Sequence, residues 1–405
     1  MTPSNVYTQA KDFPMFSHRT NWRLTRNHLT EALDEVRSSG AHLLDLTISN
    51  PTRVGLCYDE RLILQSLASP QSLDYDPQSK GLPSARAAVA AYYQSTHGIH
   101  HFEPERVLLT TSTSEGYSFV FRLLCNPGDE LLVPKPSYPL FEFLADLQDV
   151  KLVPYPLIYD HGWQMDFPSL QKVVKERTRG VVVVHPNNPT GSYVRAQERE
   201  SLNRFCREHE IALIADEVFL DYAHDGRKRQ SFVANQDVLT FTLSGVSKIS
   251  ALPQMKVAWI ATSGPGAEVE AAQARLEVIA DTYLSMNAPI QWAVPVLLDQ
   301  RNGIQQQLLD RVLGNLGELD RQLSAQTTCQ RLSVEGGWYA VLRVPVTRTD
   351  EELAVDLLRR KAVLVHPGHF YDFPSDGYLV LSLIAQKAEF GEGIGRLLEL
   401  MIAEF

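Results

Sequence analysis

From about residue 82 to 290 the chain alternates short apolar runs with stretches of helical periodicity. The apolar runs fall at 106–110, 130–133, 151–154, 180–185, 211–215, 239–243 and 256–262. Helical stretches lie between them at 83–95, 114–124, 138–146, 168–177 and 196–208. Strand–helix alternation predicts a mostly parallel sheet with helices on both faces. The runs are continuously apolar rather than alternating, as expected of strands covered on both sides. Three of them lead into a polar residue with chemical capacity: 181–184 into Asn188, 211–215 into Asp216, and 239–243 into Lys248. Open α/β sheets bind ligands beyond the carboxyl ends of their strands, so these three side chains are expected to converge there.

The flanks read differently. Residues 1–40 begin as a polar arm, and a helix is expected from Thr25, with Leu29, Leu33 and Val36 on one face. LLDLTISNP (43–51) predicts a short strand stopped by Asn50-Pro51. A long helical region is expected over 264–325, followed by strand-like RLSVEGGWYAVLRVP (331–345) and a helix near 350–360. KAVLVHPGHFY (361–371), GYLVLSLI (377–384) and a helix over 387–404 complete a smaller α+β unit. A chain of 405 residues exceeds one ordinary core, so two domains are expected.

Composition narrows the class. Apolar residues at 44% and charged residues at 21% fit a globular protein. A net charge of −10 argues against a nucleic-acid partner. No apolar run reaches the roughly 18 residues of a membrane span, and MTPSNVYTQAKDF has no signal-like segment. Cys57, Cys125, Cys206 and Cys329 show no metal or redox spacing and are expected to be reduced thiols in a cytoplasmic protein.

An Asn, an Asp and a Lys meeting at one sheet edge suggest an aromatic cofactor attached to the lysine. Six segments carry the idea further: YDPQSKGLP (75–83), PGDE (127–130), PSYP (136–139), HPNNPTG (185–191), the Asp216-Glu217-Val218 triplet, and Ser247-Lys248. Together and in this order they resemble the class I/II aminotransferases, which are fold-type-I pyridoxal-phosphate enzymes. The resemblance runs from about Leu43 to the C-terminus. It implies an N-terminal arm and part of the small domain at 1–50, a large cofactor domain at 51–295, and the rest of the small domain at 296–405.

By the same resemblance, Lys248 is the Schiff-base residue and the proton carrier at substrate Cα. Asp216 pairs with the pyridinium nitrogen, Glu217 being the less suited acid of the pair, and Asn188 binds the phenolic oxygen. Ser112, Thr113 and Ser114 open a helix that can receive the phosphate, with Ser247 close by. Tyr138 places its ring over the pyridine, and Tyr75 reaches a phosphate across a homodimer interface. Simpler roles exist for several of these: an N-cap for Asp216 and the hydroxyl run, a turn for Asn188, and a core position for Tyr138.

Four departures bear on the substrate. Lys256 stands eight residues after Lys248, where the family has a phosphate-binding Arg; lysine keeps the charge but lacks the fork. Gly245 replaces a common Ser. Phe219 replaces a Tyr that bonds the cofactor's phenolic oxygen, so one hydrogen bond is expected to be missing and the lysine–cofactor linkage to hold its proton more tightly. Val380 occupies the position of the Arg that clamps the substrate carboxylate. Arg53 is the first substitute, unless it is a solvated loop charge; Arg343, His366 and His369 are weaker ones. The expected activity is a ping-pong aminotransferase acting on an amino acid or related amine. The alternative is β-elimination by a C–S lyase on the same scaffold.

Overall fold

The computed structural model describes residues 15–22, 26–139 and 141–403. The arm through residue 14, and Thr25 at the expected helix start, lie outside them. The first described α-helix is His28–Ser38, which begins where the Asn27 side chain accepts a hydrogen bond from Thr30 N.

Every strand expected from the central apolar runs is present in one eight-stranded sheet. Its order is Val107–Thr110, Ala258–Ser263, Thr240–Gly245, Ala212–Asp216, Thr178–Val184, Glu130–Lys135, Lys151–Tyr159 and Trp163–Met165. The five strands from Thr240–Gly245 to Lys151–Tyr159 are parallel. Ala258–Ser263 runs antiparallel to both its neighbours. Trp163–Met165, too short to stand out in the sequence, returns from a tight turn to pair antiparallel at the edge.

The continuous apolar runs are explained by the two covered faces. Val182, Val184 and Ile214 pack with Thr113–Leu124 and Gly266–Tyr283 on one side. Val181, Val183, Leu213 and Ala215 pack with Phe167–Val173 and Ala196–Glu208 on the other. Successive residues of a strand point to opposite faces, so both parities must be apolar.

A separate core joins the two ends of the described chain. Leu29, Leu44 and Leu46 pack with Leu308, Val341, Leu357 and Phe390. Its antiparallel sheet has the order Gln330–Arg331, Tyr339–Arg343, Tyr378–Ser382, His366–Pro367. The strand expected over 43–51 shrinks to Leu44–Asp45, parallel to Val363–Leu364. Asp45 Oδ1 accepts from both Thr47 N and Thr47 Oγ1, at 2.8 and 2.6 Å, and this local turn ends the ladder. The expected helical region 264–325 is three helices: Gly266–Tyr283, Ala288–Asp299 and Arg301–Leu323. The first break falls at Leu284, with φ 67°, and at the Asn287 cap. Leu297 and Leu298 of the second helix pack with Trp259 of the large sheet, while Leu308 and Val312 of the third join the other core.

Candidate active site

The strand Thr240–Gly245 delivers Lys248 through a short helix, Val246–Ile249. Gly245 sits where the adjacent strand comes close: a Cβ there would lie 2.7 Å from Val257 O and 2.9 Å from Ala258 Cα. The common serine therefore has no room. The Lys248 carbonyl accepts a hydrogen bond from Tyr222 at 2.6 Å. Its Nζ lies 4.8 Å from the Trp338 ring centre and 5.5 Å from that of Phe219. Burial pushes the Lys248 amine down to about 8, against the opposing charge of Asp216.

Asp216 closes the neighbouring strand Ala212–Asp216. One carboxylate oxygen accepts from Val218 N at 3.1 Å and the other from the Tyr117 hydroxyl at 3.0 Å. Burial raises the Asp216 carboxyl to about 6, and the two donors and Lys248 hold it from going further. Glu217 points away, as strand alternation requires. Its carboxylate accepts from the Ser231 hydroxyl and Phe232 N, at 2.6 and 2.5 Å.

The two acids thus separate: Asp216 faces a cavity of about 180 Å³ and Glu217 does not. The adjacent asparagines separate in the same way. Asn187 is tied to Ser137, Pro136 O and Thr190. Asn188 lines the cavity, with Oδ1 buried and unpaired among the described residues.

Lys248, Ser247, Asp216, Asn188, Tyr138 and Thr113 all line this one cavity. The rest of the sequence-derived set is distributed otherwise. Ser112 is the N-cap of Thr113–Leu124, accepting from Glu115 N, and neither Ser112 nor Ser114 lines the cavity. Lys256 is exposed in a left-handed conformation, φ 54°, outside the lining. Tyr75 is 82% exposed, and Arg53 is exposed in the turn Pro51–Arg53; neither reaches the cavity of its own chain. Val380 lies wholly in the small core, paired with Val341 and His366, and does not face the cavity. Arg343 and His369 are outside the lining, whereas His366 is in it.

Sequence reasoning passed over Ser49, Tyr339, Phe370 and Tyr371, which form the wall contributed by the small core. It also passed over Tyr117, whose hydroxyl reaches Asp216 from the middle of an otherwise apolar helix face. The aromatic strings 338–339 and 369–371 mark these segments, but nothing local in them says that they face Lys248.

A family model described as aminotransferase class I and II matches residues 60–386. The chain belongs to the class I and II aminotransferases. Within that family, the alanine aminotransferase of Mycobacterium tuberculosis (strain ATCC 25618 / H37Rv) is 29% identical over 376 residues, covering 89% of this chain and 86% of that protein. The glutamate-pyruvate aminotransferase AlaA of Haemophilus influenzae is 28% identical over 377 residues, covering 91% and 92%. The solved alanine aminotransferase from Pyrococcus furiosus shares the fold with a TM-score of 0.87 at 22% identity, covering 96% of this chain and all of that one. The α/β architecture of the aminotransferase, a mostly parallel sheet with a smaller α+β unit, is the one expected from sequence.

Proposed function

We propose that this aminotransferase uses pyridoxal 5'-phosphate to move an amino group from a small α-amino acid to a keto acid by a ping-pong mechanism. The observation that carries the reading is the buried trio of Lys248, Asp216 and Asn188 around one cavity. The residues present fit such a cofactor. Asn188 Oδ1 is a buried acceptor without a partner among the described residues, and Thr113 places a hydroxyl and a helix N-terminus at the same wall. Asp216 supplies a buried carboxylate for a ring cation, Lys248 the attachment point, and Tyr138 an aromatic face.

When bound, the cofactor supplies an electron sink for the pair released at the substrate's Cα. The chain's own residues do the rest. The Lys248 amine, poised near pH 8 by burial, is matched to taking a proton from Cα and returning it as a general base and acid. Asp216 stays anionic at neutral pH because Tyr117 and Val218 bond both oxygens. Trp338 and Phe219 wall the amine from bulk water.

The alanine and glutamate-pyruvate specificities named for the relatives favour alanine as the first donor to test. We further infer a homodimer in which Tyr75 and Lys256, exposed in one chain, complete a phosphate site with the partner present. A cytoplasmic location agrees with four free thiols and with the absence of a membrane-length apolar helix among the described residues.

The test uses cofactor-loaded protein and one donor at a time. L-Alanine should convert the absorption spectrum stoichiometrically without an acceptor, and a keto acid should restore it. No conversion by any amino acid, with ammonia and pyruvate released from a cysteine thioether, would replace this reading by β-elimination.

A further inference from the structure

The cavity holds few groups able to recognise the rest of a substrate. Among its lining residues the basic ones are Lys248 and His366, and no arginine is present. Lys248 is directed to the amine chemistry beside Asp216. His366 stands on the wall contributed by the small core, in the strand His366–Pro367. Its Nδ1 lies 3.0 Å from the Tyr371 hydroxyl, and Tyr371 lines the same wall. Tyr371 is itself fixed to the large sheet's edge, since its carbonyl accepts from Ser137 N at 2.9 Å. The Nε2 of His366 has no hydrogen-bond partner among the described residues. This leaves one imidazole nitrogen for a ligand and uses the other to hold the ring.

This inference rests on the aminotransferase reading above. We propose that His366, positioned by Tyr371, recognises the carboxylate of the amino-acid substrate and takes up a proton as it binds. Without ligand, burial holds the imidazole neutral, pushed down to about 4, with only Asp45 of the Leu44–Asp45 strand opposing. The Tyr371 and Tyr339 phenols are raised by burial and remain neutral, and Lys248 and Asp216 are the other charged groups lining the cavity. An anion brought against Nε2 favours the imidazolium, so binding draws a proton from solvent. A guanidinium is always charged and would couple to no proton. The substrate class is therefore a carboxylate whose affinity falls as pH rises between the pKa of the free imidazole and that of the bound one, by up to about tenfold per unit. An amide analogue meets the neutral imidazole and lacks this slope.

Calorimetric titration of cofactor-loaded protein with propionate, which has no amine to react, tests the idea. It is run near neutral pH in two buffers of different ionisation enthalpy. Wild type should take up close to one proton per propionate, and propionamide none. His366→Gln should abolish the uptake and weaken propionate at least about tenfold. His366→Arg should restore affinity without uptake, and serves if the glutamine variant does not fold. Tyr371→Phe should keep the uptake but raise KM for L-alanine more than it lowers kcat, as expected of a positioning residue.

Unchanged uptake in His366→Gln would assign the proton to Lys248 or Asp216 and overturn the proposal, as would the lack of uptake in wild type. Failure of the aminotransferase reading is distinct: no donor would then convert the spectrum, whatever propionate does. If donors convert but His366→Gln keeps the wild-type KM and pH profile, this inference alone fails.

Discussion

Asp216 shows how a buried carboxylate works against the stability of its own fold. Its carboxyl is raised from an ordinary 3.8 to about 6 because burial disfavours the charge more than Tyr117 and Val218 favour it. A group whose folded pKa lies above its unfolded one costs stability as pH rises from about 4 to 6, and the whole cost persists above that. Asp216→Asn in the cofactor-free protein should therefore be more stable than wild type at pH 7.5, by on the order of 2 kcal/mol. The gap should close towards pH 4.5. Urea midpoints at the two pH values check this; a less stable variant at pH 7.5 would mean that the two donors outweigh desolvation. The same substitution should weaken cofactor binding. The sequence located Asp216 by its place after an apolar run, but it could not show that Tyr117, ninety-nine positions away, completes its surroundings.

At the scale of the element, the Lys248 loop depends on how closely two strands approach. Thr240–Gly245 and Ala258–Ser263 pair along six registered residues, ending at Gly245 opposite Ala258. A methyl group at Gly245 would meet backbone atoms, which cannot rotate away. Gly245→Ala should destabilise the protein by about 1–3 kcal/mol and displace Val246–Ile249. Denaturant unfolding would measure the first effect and loss of the cofactor's visible absorbance the second; a variant that keeps both would show that the strands part readily. The elements themselves were legible because a strand buried on both faces must be apolar at both parities, as at 181–184 and 211–215. The elements misjudged were those set by single turns. Thr47 folding back on Asp45 cut one strand short, and Leu284 with Asn287 divided a helical stretch.

For the whole molecule, the cavity closes only where the two cores meet. Ser137 N bonds Tyr371 O, and Lys135 pairs with Asp372 at 3.1 Å across the same joint. That pair is part-exposed and contributes little to stability. The homodimer proposed above gives the exposed Tyr75 a testable role. If it completes a partner's site, mixing Lys248→Ala with Tyr75→Ala chains should restore activity that neither has alone. Random reassortment of a symmetric dimer leaves about a quarter of the sites intact. No recovery after subunit exchange, verified by mass, would place Tyr75 outside the site.

The sequence by itself determined the parallel sheet, the order of its strands along the chain and the three residues at their carboxyl ends. Each of these follows from local periodicity and from the strand-end geometry that periodicity imposes. Only the tertiary structure showed which partners hold Glu217 and Asn187 away from the cavity, that Val380 is core and Arg53 solvent, and that His366 and Tyr371 form the opposite wall. Those outcomes depend on contacts between segments apart in sequence, such as Tyr117 with Asp216 and Ser137 with Tyr371. Such contacts leave no periodic trace in the segments that make them.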